Sequence, residues 1–266
     1  MRHSPTAPRT DDPQEVMKHH NRYKDGKALI VLGGYSASNW QELYDRIKPD
    51  VILGANGVNA IVPGLDYWMC AENMTRANDL SKIGDTDSVA LMDMFHRDTG
   101  AKVKLVSHRS WALLENTQNC VKIRRQGYEK SEVFDWFSFR DYGLGYLAGW
   151  TLEHKEAGVP IHVGTVAAQL LHHAGILGCA EVHTIGLDLM FRDHERHHAY
   201  PHPVYRVDKF RKPGFRVTYK GAATQWAWVE TAQFFKFIEP LFKRDGLKWT
   251  DHSEGLLKVE GLECAA

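Results

Sequence analysis

Ala28-Leu29-Ile30-Val31-Leu32-Gly33-Gly34 is a run of five apolar residues closed by two glycines. A strand covered on both faces needs no polar alternation, so the run reads as a central strand of a parallel sheet followed by a tight turn. Working outward, Val51–Asn56, Asp66–Ala71 and Ala101–Val106 repeat the pattern as three more buried strands. Helices are expected between them, over Asn39–Ile47 with Ser36 or Ser38 as cap, and over about Ser88–Arg97. A clearer unit begins at Gly164. Thr165–Leu177 reads as a helix stopped at Gly178, and Val182–Asp188 as a buried strand with an acidic residue at its carboxyl end. A histidine-rich loop, an amphipathic helix over about Thr224–Arg244 and a last strand over Lys248–Ser253 complete the chain. Strands alternating with helices through short Gly- or Asn-rich links indicate an α/β fold with a mainly parallel sheet and helices on both faces. Residues 1–25 read as a loose N-terminal arm and 26–266 as one domain. The segment 107–160 has weak periodicity and many aromatics, so it reads as an insertion or lid.

Composition narrows the function. The chain has 266 residues, 43% hydrophobic and 25% charged, which are globular values. Lys+Arg and Asp+Glu are both 33, so the basic excess of a duplex nucleic-acid binder is missing. Lys122-Ile123-Arg124-Arg125 and Lys209-Phe210-Arg211-Lys212 are local basic clusters, read as solvated faces. No apolar run reaches membrane-span length and no secretory h-region opens the chain. The scattered Cys70, Cys120, Cys179 and Cys264 read as reduced thiols, and the expected location is cytoplasmic.

The candidate chemistry lies at the strand ends. Open parallel sheets bind ligands at the carboxyl ends of their strands, where small residues let a ligand approach the backbone. Here those ends carry Gly33, Gly34 and Ser36; Asn56 and Asn59; Glu72 and Asn73; Gly164 and Thr165; and Asp188. The Asn amides can donate to and accept from a base or ribose, and Thr165, opening a helix, can help hold a phosphate. A nucleotide-type pocket follows, although neither G-x-G-x-x-G nor a P-loop is present. Asn56 and Asn59 also suit turn capping, and Asp188 a helix N-cap or a core ion pair.

His194, His197, His198 and His202 crowd the loop after Asp188. Imidazole suits both proton transfer near neutral pH and transition metals. His194-Glu195-Arg196-His197-His198 is a literal H-E-x-x-H, but the Pro-flanked segment follows a strand and signals no third ligand. A lid carrying one catalytic histidine is the expectation, with no metal required. Arg192, Arg196 and Arg206 in this loop are candidates to meet phosphates.

Val163-Gly164-Thr165-Val166-Ala167-Ala168-Gln169 and the block from Ala174 to Phe191 resemble the G-[GS]-T-V-A…G-x-D-[LF] signature of a Rossmann-like family. That family holds the hydroxymethylpterin pyrophosphokinase-like (MptE-like) proteins and the motility-associated-factor flagellin glycosyltransferases, and a related block occurs in bacterial sialyltransferases of glycosyltransferase family 42. Gly33-Gly34-Tyr35-Ser36, the strand ending in Asn56, Leu65-Asp66-Tyr67-Trp68 and the closing Gly246–Leu257 segment are similar too. The resemblance covers about residues 27–75 and 160–258. It implies that Gly34, Ser36, Asn56 and Thr165 line a nucleotide, with Asp188 at the adjacent strand end. His197 matches the histidine after the family's G-x-D-L block. The sialyltransferase base would fall near Val217–Lys220, where there is no histidine, so the base role passes to His197, His198 or His202.

The expected function is glycosyl transfer from a CMP- or UDP-type donor to a hydroxyl acceptor. That acceptor is a glycan, a protein, a small metabolite or a hydroxymethylated nucleobase. Two alternatives stand beside it. One is MptE-like diphosphate transfer from ATP, with Mg²⁺ on Asp188 and Glu72, and the other is a non-catalytic nucleotide-binding module. Homo-oligomerisation is left open.

Overall fold

The computed structural model describes residues 19–70, 101–106, 120–122, 166–192, 199, 216–244 and 246–261. Strand β1 (Lys27–Val31) is central. Its Ala28 and Ile30 enter one apolar cluster and its Leu29 and Val31 another, so both faces are covered and the continuous apolar run is explained. Strands β2 (Val51–Ala55), β3 (Tyr67–Cys70), β4 (Val103–Val106) and β5 (Cys120–Lys122) extend the sheet on one side of β1. Strand β6 (Glu181–Ile185) flanks β1 on the other side, with β9 (Lys248–Asp251) beyond it. The order is β5-β4-β3-β2-β1-β6-β9, and every pairing in this sheet is parallel. The order reverses between β1 and β6, and in open parallel sheets the carboxyl ends of the strands at such a reversal are where ligands bind.

Helices lie on both faces, as a Rossmann-like α/β fold requires. Helix α1 (Trp40–Ile47) contributes Leu43 to the cluster of Leu29, Val31, Ile52 and Trp68. Helix α2 (Val166–Ile176) and helix α3 (Trp226–Arg244) pack on the opposite face around Ile30, Leu53 and Val182. Gly178 ends α2 as its sequence suggests. It takes φ +84°, and Cys179 N donates back to Ala174 O at 3.1 Å. Among the described residues no helix is long and apolar enough to cross a membrane.

Several expectations change. Part of the supposed arm is tied down, because Asn21, Tyr23 and Asp25 donate backbone bonds to Ile176, Leu177 and Gly178 at the end of α2. Residues 1–18 lie outside the described residues. Cys120–Lys122, read as part of an insertion, is instead the edge strand β5, so Lys122 of the first basic cluster sits in the sheet. A hairpin of β7 (Val217–Tyr219) and β8 (Ala222–Thr224) was not anticipated. Its Lys220 and Gly221 both have positive φ, the mirror-type turn that suits strand twist. The helix expected at Ser88–Arg97 lies outside the described residues.

His173 of α2 is wholly buried against Tyr67, ring centroids 5.2 Å apart, and neither ring nitrogen has a hydrogen-bond partner among the described residues. Burial pushes its pKa down to about 3, with a smaller push from His19. Ordinary histidine protonates near 6.5, so the folded form incurs a penalty that begins below pH 6.5 and grows until about pH 3. At pH 4 it is on the order of 3 kcal/mol. His173→Leu is expected to leave stability at pH 7 unchanged or raised by about 1 kcal/mol and to flatten the loss between pH 6.5 and 4. Chemical denaturation at pH 7 and pH 4 checks this, and an unaltered acid loss would contradict it.

Candidate functional site

Asp188 lies three residues past β6, where the ends of β1, β6 and β9 meet. Ser36 donates to its Oδ2 twice, from the backbone N at 3.2 Å and from Oγ at 3.0 Å. The Asp188 carbonyl accepts from Leu256 N at 2.8 Å. Gly34 and Gly255 flank the residue so closely that side chains there would collide with it: a Cβ on Gly34 would lie 2.0 Å from Asp188 Oδ2, and one on Gly255 1.9 Å from Asp188 O. Among the described residues the Asp188 carboxylate makes no helix-cap bond and no ion pair. Ser36, expected as a helix cap, turns its hydroxyl to this carboxylate, and α1 begins without a side-chain cap bond.

The other Asp188 oxygen, Oδ1, is buried with no hydrogen-bond partner among the described residues. Burial raises the pKa to about 6, while the Ser36 bonds and the backbone N–H groups of Glu254 and Asp188 near the carboxylate work in the opposite direction. An orphaned acceptor of this kind is uncommon in a folded protein and asks for an explanation. Two more lie at the same end of the sheet, Asn56 Oδ1 and Asn59 Oδ1, in the 3-10 turn Asn56–Ala60 that follows β2. Asn56 takes φ +52°, and its carbonyl accepts from Trp68 Nε1 at 2.7 Å. These asparagines thus shape the turn and still leave their side-chain oxygens unused.

Behind Asp188 runs a buried polar network that the sequence did not single out as a site. Asp251 Oδ1 accepts from Thr184 Oγ1 at 2.6 Å and from Ser253 Oγ at 2.9 Å, and Ser253 Oγ accepts from Leu187 N at 2.8 Å. Burial raises Asp251 to about 6 as well. On the outer side of the same turn His252 Nε2 lies 2.9 Å from His183 Nδ1, and His183 Nε2 lies 3.0 Å from Glu181 Oε1. With Glu181 as the final acceptor, each imidazole donates through its Nε2. Burial, with the His183 neighbour, holds His252 down at about 4, so both rings are neutral at pH 7. The sequence signal for this turn was the polar stretch Thr250–Ser253, which runs from the end of β9 into the turn.

The chain leaving Asp188 is braced by the hairpin. Thr224 Oγ1 donates to Leu189 O at 2.7 Å and Phe191 N to Ala223 O at 2.8 Å. Arg192 is exposed, its guanidinium 4.8 Å from the centre of the Tyr35 ring. Further on, Ala199 N donates to Gly33 O at 3.1 Å, so the loop returns to the end of β1 one residue after His198. Of the sequence candidates, Gly33, Gly34, Ser36, Asn56, Asn59, Asp188 and Arg192 gather at the carboxyl ends of β1, β2 and β6. Glu72, Asn73, Gly164, Thr165, Arg196, His197, His198, His202 and Arg206 lie outside the described residues. Among the described residues no group of three His, Cys, Asp or Glu side chains is arranged to hold a metal ion. Neither a protein-family model nor a curated protein matches the chain.

Proposed function

We propose that the chain is a transferase that moves a sugar from a nucleotide-activated donor to a hydroxyl acceptor. The observation that carries this reading is a set of buried acceptor oxygens at one end of the sheet without partners among the described residues: Asp188 Oδ1, Asn56 Oδ1 and Asn59 Oδ1. Acceptors repel a bare phosphate and want hydroxyl or amino donors, which a sugar, a ribose and an exocyclic amine supply. The parallel sheet reverses its order at this end, the place where open α/β sheets generally bind their ligands.

In the proposed step the acceptor oxygen attacks the anomeric carbon and the bond from that carbon to the donor phosphate oxygen breaks. The leaving nucleotide keeps the electron pair. The acceptor proton passes to a histidine of the loop, with His197 favoured by the family resemblance and by the loop's anchorage at Ala199. Asp188 Oδ1 receives a donor-sugar or acceptor hydroxyl and holds it in line. Removing a general base typically costs 10²–10⁴-fold, so His197→Ala is expected to lower turnover by roughly that factor with nucleotide affinity nearly unchanged. Wild-type turnover in that variant would reject His197 as the base.

The alternative, diphosphate transfer from ATP, is favoured by one feature: an unpartnered carboxylate oxygen also suits Mg²⁺, which takes oxygen ligands and keeps phosphates close. Asp188 would hold the ion, which would neutralise phosphate charge. Turnover assayed with and without EDTA separates the two. Release of nucleotide from a CMP- or UDP-sugar that persists in EDTA supports the sugar reading, whereas Mg²⁺-dependent ATP consumption without nucleotide-sugar turnover replaces it.

A further inference from the structure

Tyr35 was not among the sequence candidates, yet it joins the chains around Asp188. It follows Gly34, which abuts the Asp188 carboxylate, and its hydroxyl donates to Glu254 O at 3.1 Å on the turn that brings Gly255 against Asp188 O. The ring is half-buried and spans from the end of β1 to the turn after β9. Above it lies the exposed guanidinium of Arg192, 4.8 Å from the ring centre. Burial, with the nearby Asp188 and Glu254 carboxylates, raises the Tyr35 pKa, and the Arg192 guanidinium acts in the opposite direction.

We infer that Tyr35 is a positioning residue that holds Arg192 to receive an anionic phosphate group of the ligand whose hydroxyl meets Asp188. Among the described residues Arg192 makes no hydrogen bond or ion pair, and its guanidinium lies over the Tyr35 ring. A guanidinium lying on an aromatic face keeps its in-plane N–H edges open, the geometry for bidentate capture of a phosphate. Without the ring, an exposed arginine spreads over many rotamers and loses that fixed orientation. Among the described residues, a cation over Tyr35 and a carboxylate oxygen at the same strand end, both without hydrogen-bond partners, suit a ligand that carries an anion and a hydroxyl close together. A phosphorylated sugar or nucleotide has that character.

The inference rests on the nucleotide-sugar reading for the hydroxyl half of the ligand, and the test separates the two. Calorimetry on the full chain would measure CMP, UMP, cytidine, uridine and inorganic pyrophosphate against wild type, Tyr35→Leu, Tyr35→Phe, Arg192→Gln and the double variant Tyr35→Leu/Arg192→Gln. The preference for a nucleotide over its nucleoside is expected to fall about tenfold in Arg192→Gln and roughly three- to tenfold in Tyr35→Leu. The double variant should fall no further than Arg192→Gln, and Tyr35→Phe, which keeps the ring, should stay within about threefold of wild type. A shared structural defect would weaken nucleoside and nucleotide equally and leave the ratio unmoved. Equal binding of nucleotide and nucleoside by wild type overturns the inference while the pocket reading stands. Pyrophosphate bound through Arg192 and Tyr35 with no nucleoside affinity keeps the inference and removes the reading. No binding by any probe overturns both, and a ratio that Arg192→Gln lowers but Tyr35→Leu does not overturns the role of Tyr35.

Discussion

Gly255→Ala is expected to lower the unfolding temperature by roughly 6–12 °C, the shift that about 3 kcal/mol produces in a chain of this size. Its backbone, at φ −125° and ψ −154°, is open to any residue, so the cost is not conformational. It is steric. The added methyl would sit 1.9 Å from the Asp188 carbonyl oxygen and 2.4 Å from its carbonyl carbon, and backbone cannot swing aside as a flexible side chain can. Relief requires the turn after β9 to part from the end of β6, which strains the Leu256 N to Asp188 O bond and the Ser253 bond to Leu187 N. Thermal unfolding by circular dichroism checks the shift, and a variant as stable as wild type would mean that the three strand ends are not in contact.

Asp188→Asn should separate function from stability. Asparagine keeps the shape and can still accept from Ser36 through its oxygen, but it then turns an amide donor toward the ligand where Oδ1 stood. A hydrogen bond to a charged group is worth about 1.5–3 kcal/mol, so affinity for the donor nucleotide sugar should fall roughly 10- to 100-fold. Stability should move the other way. Because burial raises the folded carboxyl to about 6, above its ordinary 3.8, ionisation at pH 7 opposes folding by about 3 kcal/mol. That opposition is relieved as pH falls from about 6 to 3.8, and asparagine removes it at every pH. The variant is therefore expected to be at least as stable as wild type at pH 7 and to lack this acid-side gain. Lower stability together with unchanged affinity would make Asp188 a structural residue.

The burial of each element decides how plainly its sequence marks it. The strand β1 was readable because both its faces are covered, which leaves a run of apolar residues and no alternation to confuse with a helix. Gly178 was readable as a helix stop because a left-handed residue is needed there. The three-residue β5 carries too little pattern to stand out from the aromatic segment around it. Strand β7 is only partly covered, so Val217–Tyr219 lacks an apolar signature and the mirror-type turn at Lys220-Gly221 was the sole cue. Asp188 was found as an acidic residue ending an apolar strand. Its partners were not, because the direction of the Ser36 hydroxyl and the span of Tyr35 to Glu254 depend on how β1, β6 and β9 are placed side by side. Ser36 next to a helix start reads as a cap until the neighbouring carboxylate is known.

We propose that a nucleotide sugar lies across the carboxyl ends of β1, β2 and β6. Crystals of the chain soaked with CMP, and separately with UDP, measure that directly. The expected result is nucleotide density at these strand ends, with a ligand hydroxyl or amino group within hydrogen-bond distance of Asp188 Oδ1 and of Asn56 or Asn59. Density at the amino ends of the strands, or clear ligand density that leaves all three oxygens unpartnered, would contradict it.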